Sequence, residues 1–263
     1  MSLSVADLWS AMIREATEFG GNEPVLASFY HASILNHPDF SAALSFQVAS
    51  KLGCKSVPAM LIRDVFNEAV AADPGIVQAA ADDVCAHYDR DPACDHYGMP
   101  FLYFKGFQAI QAYRIAHWLW NQGRESMALF LQNRIATTFD VDIHPAARLG
   151  SGIMIDHATG LVIGETAVVG NNVSMLHSVT LGGCGNHRGP RHPHVADGVL
   201  ISAGAKVLGN IQVGEGAKIA AGSVVLCDVA PFTTVAGVPA RQVGREVREL
   251  PALNMNQSIG DDE

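Results

Sequence analysis

Apolar residues recur along this chain with two different periods, and the change comes near residue 141. Before that point the spacing is helical. Leu8, Met12 and Ala16 share one helix face, and Ser4 with Asp7 three positions on resembles a capping box at its start. Pro38, Gly53, Pro58, Pro74 and Pro92 fall at places that suit helix starts and stops. The clearest helix is predicted from Phe101 to Gln122, with Gly123 as its stop. Its aromatics, Phe104, Phe107, Tyr113, Trp118 and Trp120, read as a helical core or a subunit contact rather than a cofactor box.

After Val141 the period becomes six. Ile143, Leu149 and Ile155 form one run, and Ile163, Val169, Met175 and Leu181 a second. Val195, Ile201, Val207, Val213, Ile219 and Val225 form a third. A second column of small or apolar residues follows four positions later, from Ala147, Ile153 and Thr159 through Ala167, Val173, Val179 and Gly185 to Val199–Val229. Six is too long for a helical turn and too regular for ordinary strands. It predicts a parallel β-helix built from hexapeptides, with the column residues stacked inside and small residues at the turns. Two breaks stand out. Two extra residues separate Ile155 from Ile163, and Gly182–His194 abandons the pattern, as a loop thrown out of the solenoid would. The pattern therefore divides the chain into an all-helical segment 1–140, a β-helix 141–244 and a tail 245–263, an α+β architecture.

Composition narrows the partners. A net charge of -9 argues against general binding to nucleic acid or membrane surfaces. Five dispersed cysteines, with no metal-type spacing, read as reduced thiols of a cytoplasmic protein. No secretory signal and no transmembrane stretch is expected.

Many hexapeptide-repeat enzymes are trimers that transfer acyl groups from coenzyme A at sites between neighbouring solenoids. Such a transfer to a hydroxyl needs a base, usually a histidine, and a carboxylate to orient it. His157 lies beside the two-residue break, and Asp142 lies 15 residues upstream, near one coil of about 18 residues by the hexad period. Spacing alone leaves open whether His157 is a base or a turn histidine. Arg191 and His192, on the extruded loop, suit a carboxylate or a plain solvated loop. His157, His187 and His192 also permit a zinc site like that of the γ-class carbonic anhydrases. A non-enzymatic scaffold is a third reading, one that the loop and the irregularity at Asp156-His157 count against. Cys184, among glycines, reads as a small loop residue rather than an acyl-carrying nucleophile. Lys206, Lys218, Arg241 and Arg245 offer positive charge for coenzyme phosphates, with Lys206 and Lys218 expected at outward-facing turns.

Several stretches resemble bacterial serine acetyltransferases. They include Asp91-Pro92-Ala93, Phe104-Lys105-Gly106-Phe107-Gln108-Ala109, Tyr113–Arg124, Asp142–Ala147, Asp156–Gly160, Val179–Gly183, Arg191-His192-Pro193 and Ala236–Ala240. The resemblance implies a left-handed β-helix, acetyl-CoA as co-substrate with no metal, and L-serine as acceptor. It implies His157 as general base with Asp142 orienting it; with no activated nucleophile visible, direct attack in a ternary complex is expected. His192 would be a second essential histidine near the serine carboxylate, with Arg191 beside it. Asp91 and Asp156 would bind the serine ammonium, and Glu165 would be a further acidic site residue. Gly183, Ala203, Lys218 and Ala221 would line the thioester cleft. Trimers paired through the helical segments into a hexamer are expected, with L-cysteine as an inhibitor that draws the tail over the cleft.

The chain also departs from the family pattern. Cys184 stands where the family usually has Thr, and Asn186–Pro190 is unusually rich in His and Arg. The family's tail docks a terminal Ile into O-acetylserine sulfhydrylase. Here Ile259 is internal and the sequence ends in Glu263, so that complex is expected to be weak or absent.

Overall fold

A computed structural model describes residues 3–243 and 250–259. Arg245 and the acidic end at Asp261–Glu263 lie outside the described residues. The first half is helical: α1 (Val5–Asn22), α2 (Ala27–Tyr30), α3 (Phe40–Leu52), α4 (Ala59–Ala72), α5 (Gly75–Arg90), α6 (Gly98–Tyr103), α7 (Lys105–Asn121) and α8 (Glu125–Phe139). The Ser4 side chain accepts the Asp7 N–H at 3.1 Å, which satisfies one of the helix's orphan donors. Pro58 and Pro74 directly precede α4 and α5, where a missing N–H costs nothing.

The helix predicted over Phe101–Gln122 is broken. α6 ends at Tyr103, Phe104 is extended at φ -87 and ψ 108, and α7 begins at Lys105. The side chain of Gln108 makes the break tolerable. Its Nε2 donates to the carbonyls of Phe101 and Leu102 at 3.0 Å each, replacing bonds that a continuous helix would have made. The break lets α7 start close to the solenoid. A Cβ on Gly106 would stand 2.2 Å from the Ile155 carbonyl oxygen, so only glycine permits this approach.

The second half is a parallel solenoid of short strands. The first coil is β1 (Val141–Ile143), β2 (Arg148–Leu149) and β3 (Met154–Ile155). The second is β4 (Leu161–Ile163), β5 (Val168–Val169) and β6 (Ser174–Met175), and the third is β7 (Thr180–Gly182), β8 (His194–Val195) and β9 (Leu200–Ile201). The fourth is β10 (Lys206–Leu208), β11 (Gln212–Val213) and β12 (Lys218–Ile219). Then come β13 (Val224–Val225), β14 (Thr234–Ala236) and an antiparallel edge strand, β15 (Arg241–Val243). Three sheets result, ordered β1-β4-β7-β10-β13, β2-β5-β8-β11 and β3-β6-β9-β12-β14-β15. The column residues from Ile143 to Val225 are buried, Leu149 only partly. Each such side chain is worth roughly 1.5–3 kcal/mol when withdrawn from water.

Coil lengths are not uniform. Val141 stands beside Leu161, 20 positions on, where the two-residue insertion lengthens the coil. Val168 stands beside His194, 26 positions on, because the loop of residues 183–193 leaves the solenoid between β7 and β8. Beyond the loop the spacing returns to 18, as Lys206 and Val224 show, and then shortens to 16 between Lys218 and Thr234. Two expected interior positions are outside: Thr159, which the insertion pushes out of the column, and Gly185, which lies in the loop. Lys206 and Lys218 also differ from expectation. They begin β10 and β12 and face outward from strands rather than from turns, since neighbours of an inward residue point the other way.

Buried charge joins the halves. Asp83 of α5, fully buried, accepts from Arg114 at 2.6 Å, Gln111 at 2.9 Å and the Ile153 N–H of the solenoid at 2.8 Å. Arg90, at the end of α5, donates to the Gly152 carbonyl, Ser174 and Asn172. The chain then returns as α9 (Pro251–Asn254), where Ala252 is buried and its carbonyl accepts from Ser174 Oγ at 2.9 Å.

Candidate active site

Two corners of the solenoid carry the chemistry. At the first, the turns before β4, β7, β10 and β13 stack through the bonds Ser178 N–H to Thr159, Gly204 N–H to His177 and Gly222 N–H to Ala203. This stacking sets Thr159, His177, Ala203 and Ala221 in one column, with the His157 ring 5.9 Å from that of His177. The insertion sits at its base. His157 and Ala158 both adopt left-handed backbone, at φ 56 and 59, a conformation that non-glycine residues hold only when their surroundings impose it. Here the surroundings are α7. Lys105 Nζ donates to Thr159 Oγ1 at 2.6 Å, and Gly106 lies against Ile155.

A cavity of about 370 Å³ opens at this corner. Asp91, Tyr103, Lys105, Ile155, Asp156 and His157 are among its lining residues. Asp91 is delivered by the end of α5, where its side chain accepts the Ala93 N–H at 2.9 Å. His157 is largely exposed, its Nε2 3.6 Å from Asp156 Oδ2, and its ring lies 5.9 Å from that of His177. The structure thus brings Asp91, Asp156 and His157 together from two halves of the chain.

Asp142 lies on the first coil. It stands on β1 beside Val162, and its Oδ1 accepts from Gln132 of α8 at 2.7 Å. Within one protomer its side-chain partner is Gln132, while the carboxylate beside His157 is that of Asp156. The 20-residue first coil accounts for this: Asp142 stacks on β4, beyond the turn that holds His157.

The second corner, between β4 and β5 and beneath the extruded loop, gathers Glu165, Arg191 and His192. Arg191 Nη2 pairs closely with Glu165 Oε2, and the guanidinium holds the Glu165 carboxyl below its ordinary range. His192 is buried, and burial, then the charge of Arg191, push its pKa down. His144 is pushed down as well, mainly by burial. The neck of the loop is closed by the Cys184 N–H donating to the Arg191 carbonyl at 3.2 Å.

The four residues expected along the thioester cleft do not meet in one protomer. Ala203 and Ala221 lie on the first corner, with Lys218 on the strand leading to it. Gly183 lies on the second, where a Cβ would come 3.0 Å from His192 Nε2. The Lys218 ammonium donates to the tail carbonyls of Asn256 at 3.3 Å and Ser258 at 2.6 Å. His157 and His192, two of the three residues weighed as zinc ligands, sit on different corners. Among the described residues no group of three His, Cys, Asp or Glu side chains is arranged to hold a metal. No helix among them is long and apolar enough to cross a membrane. Sequence reasoning missed Lys105 and Thr166. Lys105 sits beside Gly106 in one of the matching stretches. Thr166 has no signal in spacing, since its partners lie about 26 residues away.

Comparison with known proteins agrees with this architecture. The profile of the serine acetyltransferase N-terminal family matches residues 8–112, and that of the bacterial transferase hexapeptide matches residues 192–227. The serine acetyltransferase of Escherichia coli strain K12 is 57% identical over 250 residues, which cover 95% of this chain and 92% of that protein. The solved structure of serine acetyltransferase from Vibrio cholerae superposes with a TM-score of 0.96 at 57% identity, covering 97% of this chain and 99% of that one. A serine acetyltransferase solved in complex with cysteine gives 0.96 at 53%, covering 97% and 100%. One solved in complex with CoA gives 0.88 at 54%, covering 91% and 100%. The helical first half, the hexapeptide solenoid and identity maintained across both make this chain an acyltransferase that belongs to the serine acetyltransferase family.

Proposed function

We propose that the protein transfers the acetyl group of acetyl-CoA to the hydroxyl of L-serine, giving O-acetyl-L-serine and CoA, the first step from serine towards cysteine. The observation that carries this reading is the cavity in which Asp91 of the helical half meets Asp156 and His157 of the solenoid. Two carboxylates in one cavity suit an ammonium group, and a histidine beside them suits a hydroxyl one carbon further along the amino acid. His157 takes the hydroxyl proton as oxygen attacks the thioester carbonyl. The carbon–sulfur bond then breaks, and the imidazolium returns the proton to the departing thiolate. No acyl-enzyme is required, and Cys184 stays outside the sequence of events.

Arg191 and His192 complete the site as the carboxylate-binding pair, with Glu165 holding Arg191. They sit on the other corner of the solenoid, so the site is read as lying between two protomers of a trimer, the first corner of one facing the second corner of its neighbour. The coenzyme runs up the first corner past Ala203 and Ala221 towards Lys218, with Gly183 contributed from the neighbouring second corner. Asp142 is assigned as the orienting carboxylate by resemblance, because serine's ammonium occupies Asp156 once substrate is bound. Residues 1–140 supply Asp91 and the surface that pairs trimers into a hexamer. L-Cysteine shares the ammonium and carboxylate of serine and is assigned as a competitive inhibitor. The dispersed cysteines support a cytoplasmic location.

The test is thiol release from acetyl-CoA against a panel of acceptors. L-Serine is expected to outrun ethanolamine and 3-hydroxypropionate by a wide margin, because each analogue leaves a charged partner of the site unmatched. His157→Ala is expected to lower turnover by ~10²–10⁴-fold. Equal turnover of either analogue, or near-normal turnover by the variant, would refute the reading.

A further inference from the structure

Thr166 stands in the turn between β4 and β5, directly after Glu165, and its contacts converge on one imidazole. Its Oγ1 accepts the backbone N–H of Arg191 at 3.0 Å and that of His192 at 3.2 Å. The same oxygen lies 2.8 Å from His192 Nδ1, and the Thr166 backbone N–H donates to that Nδ1 at 3.2 Å. A hydroxyl has one proton and two acceptor positions. Both acceptor positions are filled here by amides, which can only donate. The hydroxyl proton is therefore left for Nδ1, which also receives the Thr166 amide proton. A ring nitrogen facing two donors cannot carry a proton itself, so the proton of the neutral ring resides on Nε2.

We propose that Thr166 is a positioning residue that locks His192 in its Nε2–H tautomer, so that His192 serves the transfer as a fixed hydrogen-bond donor and never as a proton acceptor. This rests on the placement of His192 in the serine site.

The opposite side of the ring is arranged for such a donor. Nε2 has no hydrogen-bond partner among the described residues. A Cβ on Gly164 would fall 2.0 Å from it and one on Gly183 would fall 3.0 Å away, so two glycines clear the space around this nitrogen. Burial and the neighbouring Arg191 oppose protonation of the ring, Glu165 favours it and His144 opposes it, and the net direction keeps it neutral. A neutral N–H in a partly desolvated corner suits an anionic oxygen, whether the serine carboxylate or the charge that develops on the thioester carbonyl. The two histidines of the site then divide the work. His157, exposed beside a carboxylate, moves the proton, and His192 holds an oxygen.

Nitrogen NMR of histidine-labelled wild-type enzyme reads the tautomer directly, with the His192 signal identified by its loss in His192→Ala. Protonated Nε2 and bare Nδ1 are expected. Thr166→Val, which removes the nearer donor at 2.8 Å and leaves Nδ1 only the longer amide contact at 3.2 Å, is expected to give a mixed tautomer and to raise the KM for serine about tenfold, with a smaller change in kcat. Thr166→Ser is expected to restore both. A proton on Nδ1 in the wild-type enzyme overturns the proposal, and so does a Thr166→Val variant with unchanged tautomer and unchanged serine KM. If His192→Ala itself leaves serine kinetics intact, the placement of His192 fails. If that variant is impaired while Thr166→Val is not, only the role of Thr166 fails.

Discussion

His157 shows how far a single side chain depends on its backbone. A histidine in left-handed conformation is costly, and here the cost is met by α7, through Lys105 on Thr159 and the close approach of Gly106. Beneath the same corner lies His87 of α5, almost wholly buried between Phe104 and Phe107, with Nδ1 2.8 Å from the Asp83 carbonyl. Burial pushes its pKa below the ordinary 6.5. The folded state therefore binds fewer protons than the unfolded chain in this range. Stability from this group is complete above pH 6.5 and is lost as the pH falls through the depressed value. The melting temperature, followed from neutrality downward, is expected to begin falling near that point, before the carboxylates titrate. His87→Gln is expected to make the fall shallower, without abolishing it, because His144 and His192 act in the same direction. An unchanged pH slope in the variant would show that His87 is not the group responsible.

At the scale of elements, α5 is fixed to the solenoid by charge as well as by packing. Asp83→Ala would leave the Arg114 guanidinium buried beside an apolar methyl and the Ile153 N–H without its acceptor. The expected loss is about 3–5 kcal/mol, read as a lower melting temperature at fixed protein concentration. Replacing both partners, with Asp83→Leu and Arg114→Met, is expected to recover only the part due to the unpaired guanidinium, since the Ile153 N–H and the Gln111 amide still lack their acceptor. A second element, the tail, crosses the sheet that contains β6 and β12, from Ser174 to Lys218. It occupies the ammonium that the thioester cleft is assigned to use. Truncation after Val247 is expected to lower the KM for acetyl-CoA and to weaken inhibition by L-cysteine, both measurable by thiol release. Inhibition that is unaltered by truncation would mean that cysteine acts through the serine site alone.

The whole molecule raises the question of how two corners of one solenoid serve a single site. The corner of His157 and the corner of His192 face different directions in a protomer, and the proposed trimer would reconcile them by pairing neighbours. Mixed assemblies decide the matter. His157→Ala and His192→Ala are each inactive in this reading, yet trimers reassembled from an equal mixture contain some interfaces with both histidines. Activity is expected to return to about a quarter of the wild-type level, the chance that a given interface pairs the two intact residues. A site contained within one protomer would give no recovery.

Much of this protein was legible in its sequence. The six-residue period located the solenoid because a stacked core repeats the same burial demand in every coil, and Ile143, Ile163 and Val207 report that demand directly. The prolines before α4 and α5, the Ser4 cap and the extruded loop were legible for the same local reason. The family resemblance named the candidate site residues. What the sequence did not contain was their grouping. Asp91 lies about 66 residues from His157, and a helix break at Phe104, itself bridged by Gln108, is what carries α7 onto the corner where they meet. Asp142 lies 15 residues from His157, and only the fold shows that a 20-residue first coil sets it beside Val162 and bonds it to Gln132 within the protomer. Thr166 gave no sequence signal, because its proposed role lies in four hydrogen bonds to a turn of chain that the extruded loop brings back beside it. Periodicity is a local property and survives in one dimension. The meeting of side chains depends on coil length, helix breaks and loop return, and only the folded chain decides those.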